Sequence, residues 1–224
     1  ETSYLPCPES LEDLSKNLTR HETAKGDVIF FIPGVCQKSP TPNIMRGEET
    51  QMAGLKSGST MTAILPGTHS KWIRMEGDTI RCFATFMTGE IFAALTQHTI
   101  LGRLLTDGSD PEGFAAGVKD GYSGSKDAGG ILSKLFGARA MPLLDLMNRD
   151  SIRDYISGLL LGTEIQEAIT SGFGLNVTPV ICGSAELVER YKAALELCLI
   201  QTERGEDDLA ASGLMRIASA ASLV

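Results

Sequence analysis

Residues 64–72 read ILPGTHSKW. An apolar run stops at Pro66 and turns at Gly67, and Thr68, His69, Ser70 and Lys71 follow before Trp72 resumes the apolar pattern. The flanks, TAIL before and KWIRM after, are strand-like, and the turn EGD leads into a third strand, TIRCFATF. Two hairpins in a meander are therefore predicted. The polar tip supports two readings. Hairpin tips are ordinarily polar, yet G-T-x-S-K also offers backbone N–H groups, two hydroxyls and an ammonium to an anion. It is not the G-x-x-x-x-G-K-[ST] phosphate loop.

Upstream of the meander, Ser10 followed by LEDLSKNL predicts an N-capped amphipathic helix. DVIFFIP, residues 27–33, is rich in β-formers and predicts a buried strand. GVCQKSPTPN follows as a loop, and IMRGEETQMAGLK returns to helix-like content. Downstream, from about residue 88, apolar spacings of three and four predict mainly helices, with Asp110 as an N-cap and a long helix over SIRDYISGLLLGTEIQEAIT. A strand at 178–182 then runs through Gly183-Ser184 into the helix AELVERYKAALELCLI, and DDLAASGLMRIASAAS forms a last helix. Mixed strands, then helices, then a strand-to-helix turn indicate a layered α/β protein.

The 224 residues, 42% hydrophobic and 21% charged, suffice for a sizeable core in one large domain or two lobes. A formal net charge of -8 argues against a nucleic-acid partner, because no basic stripe exists to neutralise phosphates. No apolar run approaches the roughly 20 residues that span a bilayer, and no signal peptide is evident, so no membrane partner and a cytoplasmic location are expected. Five scattered cysteines without a C-x-x-C pair suit reduced thiols. Three histidines, none at metal-ligand spacing, argue against a metal site on the chain.

Three stretches place polar or glycine residues at strand ends, where α/β proteins bind ligands. In MRGEETQ, residues 45–51, Arg46, Glu48 and Glu49 cluster around Gly47. They read either as a solvated helix start favoured by its dipole or as a carboxylate base beside an arginine anion clamp. The hairpin tip is the second stretch. In VICGSAELVERY, residues 180–191, Gly183 and Ser184 read either as a plain connection with Ser184 as N-cap or as helix-N-terminal amides presented to a ligand. His98 reads as a packed or helix-ending histidine, Cys82 and Cys182 as small core residues, and Gly158 and Gly162 as sites of close helix packing.

The order of the three stretches is more specific than any one of them. A G-acid-x-Q helix start, a strand–GT–strand hairpin and a later strand–GS–helix turn resemble the C-terminal half of sugar kinases with the actin/Hsp70-type ATPase fold. FIPGVCQ, NIMRGEETQ, LPGTHSKW, FMTGE, SGLLLGTE and GSAELVERY together resemble the 2-dehydro-3-deoxygalactonokinase family, from about Tyr4 to the final helix. The resemblance implies an actin-like (ribonuclease H-like) ATPase fold, mostly the C-terminal lobe with a mixed sheet covered by helices. Residues 1–56 would end the first lobe, and 57–224 would form the nucleotide-binding lobe. It implies ATP with Mg²⁺ and phosphorylation of the 6-hydroxyl of 2-dehydro-3-deoxy-D-galactonate, in galactonate catabolism. The alternatives are a kinase of another 2-keto-3-deoxy sugar acid and a non-catalytic binder of sugar acid or nucleotide; a homodimer is compatible with each.

By the same resemblance Glu48 is the base, with Glu49 as fallback. Gly67 and Thr68, with Ser70 and Lys71, hold the β/γ-phosphates. Gly183, Ser184 and Tyr191 face the nucleotide. Arg46 is assigned on its chemistry to the substrate carboxylate or the transferring phosphoryl group, and Asn43 is placed with it on the substrate side. Two departures stand out. Glu replaces the usual Asp base, and the fold's first phosphate loop, D-x-G-T/S after a strand, is not found: Asp107-Gly108-Ser109 follows a helix. With Glu1 in place of Met, a truncated form is expected.

Overall fold

A computed structural model describes residues 3–55, 58–123, 129–173, 177–206 and 208–224. The predicted meander forms as β7 (Thr60–Leu65), β8 (Ser70–Glu76) and β9 (Thr79–Phe86), antiparallel throughout. It is the heart of a six-stranded sheet. β10 (Val180–Ile181) adds parallel to β7, β11 (Glu203–Arg204) adds parallel to β10, and β2 (Glu9–Ser10) pairs antiparallel with β9 at the other edge.

Strand alternation sorts the side chains onto two faces. Ala63, Leu65, Ile73, Met75 and Phe83 point to one side, where α2 (Glu48–Gly54) and α8 (Leu209–Ala220) cover them with Met52, Ala53, Leu209 and Ile217. Ile64, Trp72 and Ile181 point to the other side. There they meet α4 (Pro111–Tyr122), α6 (Arg149–Thr170) and α7 (Ala185–Leu197) through Phe114, Val118, Leu161, Ile165, Val188 and Ala194. The sheet is thus packed between two helical layers. A third apolar cluster joins α6 to α3 (Thr88–His98) and α5 (Ile131–Ala140) through Ile152, Tyr155, Ile156, Leu95 and Leu135.

The helix ends follow the sequence. Ser10 caps α1 (Leu11–Lys16) in a reciprocal capping box with Asp13. Asp110 caps α4 by accepting from the Glu112 amide, and Asn148 caps α6 by accepting from that of Asp150. The spacing of Gly113, Gly117 and Gly121 on α4 meets Gly158 and Gly162 on α6. A Cβ at Gly117 would lie 2.1 Å from the Tyr155 carbonyl oxygen, and one at Gly158 would lie 2.2 Å from that of Phe114. These helices touch backbone to backbone, as expected for Gly158 and Gly162.

The N-terminal segment departs from expectation. GVCQ is not loop: β5 (Gly34–Gln37) is the middle strand of a three-stranded sheet, parallel to β1 (Tyr4–Pro6) and antiparallel to β6 (Asn43–Met45), with Val35 fully buried. IMRGEETQMAGLK accordingly begins as strand, and only from Glu48 is it helix. VIFF does form a strand, β4 (Val28–Phe31), but not a buried one. It pairs only with β3 (Thr19–Glu22) in a two-stranded ribbon, and all eight paired residues are exposed. β-Propensity made the strand, but burial needs a second layer, and no described residue supplies one across the ribbon's full width. Residues 56 and 57, where a boundary between lobes is expected, lie outside the described residues. The N-terminal segment also joins the large sheet through β2 and docks α1 against α8.

Candidate active site

The three stretches converge. Arg46, Gly47, Glu48, Pro66, Gly67, Thr68, His69, Cys182 and Gly183 line one cleft of about 380 Å³ at the ends of β7 and β10. Parallel pairing of β10 with β7 brings this about: the Cys182 amide donates to the Ile64 carbonyl at 2.8 Å, which sets Gly183 beside Pro66.

At the first corner, Gly47 adopts φ +107, a conformation that favours glycine, and α2 starts directly after it. The two acids then diverge. Glu49 is buried and takes the Gly47 amide on both carboxylate oxygens, at 2.9 and 2.7 Å, and the Thr50 hydroxyl at 3.1 Å. Burial is the largest influence on it and raises its pKa. Glu48 is partly exposed to the cleft; it accepts from the Arg46 amide at 3.0 Å and pairs with Lys71 Nζ at 3.3 Å. The Arg46 guanidinium carbon sits 4.4 Å from the centre of the Tyr4 ring. Arg46 borders both this cleft and a neighbouring cavity of about 830 Å³ that Tyr4, His21, Phe31 and Glu49 help to line.

At the second corner only Thr68 and His69 form the exposed tip. Ser70 and Lys71 already belong to β8 and are buried. Ser70 donates to Glu164 at 2.8 Å, so its hydroxyl is turned away from the cleft, whereas Lys71 crosses beneath the hairpin to Glu48. His69 has a partner: its Nε2 lies 2.6 Å from Glu90 Oε2 at the start of α3. The Glu90 amide also donates to the Thr68 carbonyl at 3.0 Å. This close approach requires Gly89, where a Cβ would fall 2.5 Å from the Gly67 carbonyl oxygen.

At the third corner Gly183 and Ser184 are exposed. Ser184 occupies the N-cap position of α7, but its side chain makes no capping hydrogen bond. Tyr191 is buried and donates its hydroxyl to Glu164 at 2.9 Å, with its ring against a second cavity. This cavity, about 250 Å³, lies between α3, α6 and α7, and Gly67, Gly89, Arg153, Asp154, Arg190 and Tyr191 line it. Arg190 is fixed there by Asp154 at 2.8 Å, by the Ser157 hydroxyl at 2.8 Å and by the face of Phe114 at 4.6 Å. Burial acts most strongly on Asp154 and opposes ionisation. Its bonds from Arg190, the Asp110 amide and Ser109 outweigh burial and hold its pKa below the usual carboxylate value. Asn43 stands apart from the cleft. Its amide is occupied by backbone, accepting from the Thr85 N–H at 3.0 Å and donating to the Thr41 carbonyl at 3.0 Å, and so ties β6 to β9.

Glu90, Glu164 and Arg190 lie in the stretches FMTGE, SGLLLGTE and GSAELVERY, but neither they nor Asp154 were given a role from the sequence. Glu164 had one signal, as an acid on the apolar stripe of a helix between Leu161 and Ala168. Among the described residues no group of three or more His, Cys, Asp or Glu could hold a metal ion, and no helix is long and apolar enough to cross a membrane.

A hairpin turning on Gly67, an acid at a helix start and a helix N-terminus meet at strand ends in one cleft of an α/β protein. The model of the 2-keto-3-deoxy-galactonokinase family matches residues 1–217, and the chain belongs to that family. It is 31% identical over 196 residues to the 2-dehydro-3-deoxygalactonokinase of Escherichia coli, covering 86% of this chain and 64% of that one. It is 34% identical over 202 residues to a Rhizobium meliloti protein provisionally given the same name, covering 88% of this chain and 65% of that protein. The chain thus spans just under two thirds of the length of these relatives. A crystal structure of a Sinorhizobium meliloti protein, also provisionally named a 2-dehydro-3-deoxygalactonokinase, superposes with a TM-score of 0.88 at 31% identity, over 98% of this chain and 74% of that one.

Proposed function

We propose that the protein phosphorylates the 6-hydroxyl of 2-dehydro-3-deoxy-D-galactonate with ATP, on an actin-like ATPase fold in which residues 57–224 form the nucleotide-binding lobe. The supporting observation is the cleft that gathers Glu48, Gly67, Thr68 and Gly183, with the buried Lys71 paired to Glu48 at its wall. In this reading Glu48 takes the proton from the attacking hydroxyl. The half-buried Gly67 and the exposed Thr68, with Lys71 beneath them, hold the β/γ-phosphates, and the nucleoside extends past Gly183 and Ser184 into the cavity beside Tyr191 and Arg190. Arg46, shared by the cleft and the larger cavity, meets the sugar-acid carboxylate. Ser70 and Asn43 act indirectly here, since each side chain is committed to the protein. Tyr191 contributes its ring face only.

Mg²⁺ would arrive with ATP, mostly held by phosphates and water, as is usual for this ion. Phosphoryl transfer then rests on positioning and charge neutralisation. A cytoplasmic location and a homodimer complete the reading. A coupled ADP-release assay with a panel of 2-keto-3-deoxy sugar acids tests it. Turnover is expected with the galactonate derivative, and no turnover with any member would refute the kinase assignment.

A further inference from the structure

We propose that Glu164 is a positioning residue for the nucleotide site, an internal clamp that holds the phosphate hairpin, α3 and α7 in one geometry. The inference rests on the kinase reading above. Glu164 lies on α6, only 2% exposed, with both carboxylate oxygens enclosed. Ser70 Oγ and Tyr191 OH donate to Oε2 at 2.8 and 2.9 Å, Trp72 Nε1 donates to Oε1 at 2.8 Å, and the Thr88 side chain makes a fourth hydrogen bond.

Burial raises the pKa of Glu164 and its four hydrogen bonds oppose that rise; as a carboxylate it offers about four acceptor positions. Here four donors use them, so Glu164 has none left for a ligand. The donors' locations give it its role. Ser70 and Trp72 follow the Thr68–His69 tip on β8, Thr88 precedes the Gly89 on which that tip rests, and Tyr191 walls the cavity beside it. One side chain therefore fixes three borders of the proposed ATP site. None of its partners is in the three-stranded N-terminal sheet or at Arg46, which lie on the sugar-acid side. Its loss should be felt by one substrate and not the other.

Glu164→Gln keeps the shape and breaks the pattern. Trp72 N–H can only donate, so the amide oxygen must face it. The amide NH₂ then meets the Ser70 and Tyr191 oxygens, and both hydroxyls must reverse. Trp72 is the sole tryptophan in the chain and reports the change directly. The expected result for the folded variant is altered Trp72 emission, a KM for ATP at least tenfold higher and a KM for the sugar acid within about twofold of wild type. Ser70→Ala should reproduce part of the ATP effect and be non-additive with Glu164→Gln, and it carries the test if the glutamine variant does not fold.

Parallel losses in both substrates, or an unchanged KM for ATP, would overturn the inference. Equilibrium binding of ATP separates the two hypotheses. A wild type that binds ATP no better than the variant sinks only the clamp. A wild type that binds ATP but phosphorylates no sugar acid leaves the clamp standing and sinks the kinase reading. One that binds no ATP at all sinks both.

Discussion

Glu48 and Glu49 are adjacent in sequence, yet the fold gives them different work. Both begin a helix, where the dipole favours acids. The helical turn swings Glu49 inward onto the Gly47 amide and leaves Glu48 at the cleft against Lys71. Glu48→Gln is expected to lower kcat by about 10²- to 10⁴-fold, the usual contribution of a general base, with ATP affinity within a few-fold. A variant that keeps most of its activity would move the base elsewhere. Thr68→Ala should raise the KM for ATP by about tenfold, the cost of roughly one charge-assisted hydrogen bond, and an unchanged value would remove the tip from the phosphate site. Thr68 was legible in the sequence because a tip residue is polar and unpaired by default. Ser70 and Lys71 were not, because whether they lie on the tip or within the strand depends on where β8 begins pairing, and Ser70 already pairs with Phe86.

At the scale of elements, the glycines of α4 and α6 set how closely two helices approach. Gly158→Ala would place a methyl 2.2 Å from a backbone oxygen that is itself held in a helix, so the helices must part. Overpacking of this kind costs about 1–3 kcal/mol, which for a domain of this size lowers the thermal midpoint by roughly 2–4 °C per kcal/mol. A melt unchanged by the substitution would show that the crossing is looser than drawn. The meander, the caps at Ser10 and Asp110, and the long α6 were all legible, since each is written in local periodicity and hydrogen-bonding side chains. The β4 run shows the limit of that signal. Val28, Ile29, Phe30 and Phe31 form a strand as their β-propensity suggests, but their exposure depends on which layers pack against the ribbon.

For the whole molecule, Glu9 predicts how stability depends on pH. It lies in β2 at the sheet edge with Oε1 buried and without a hydrogen-bond partner, and burial, aided by Asp13, pushes its pKa from 4.5 up to about 7. Between those values the unfolded chain ionises Glu9 while the folded chain keeps it protonated, so stabilisation present below pH 4.5 is lost as the pH rises toward 7. Wild type should therefore lose more stability than Glu9→Gln between pH 5 and about 7.5, measured by denaturant midpoints; identical slopes would rule this out. By itself the sequence determined the α/β class, the meander, the helix starts and the three strand-end stretches, because these depend on residue spacing within a turn or a hairpin. Only the tertiary structure decided that the stretches share one cleft, that Glu48 faces it while Glu49 does not, and that Glu164 gathers four donors. The shared cleft and the Glu164 cluster depend on the parallel pairing of β10 with β7 and on the packing of α6 beneath the sheet, contacts between residues about 90 to 120 positions apart in the chain, and the facing of Glu48 depends on Lys71 of β8; no local pattern encodes these.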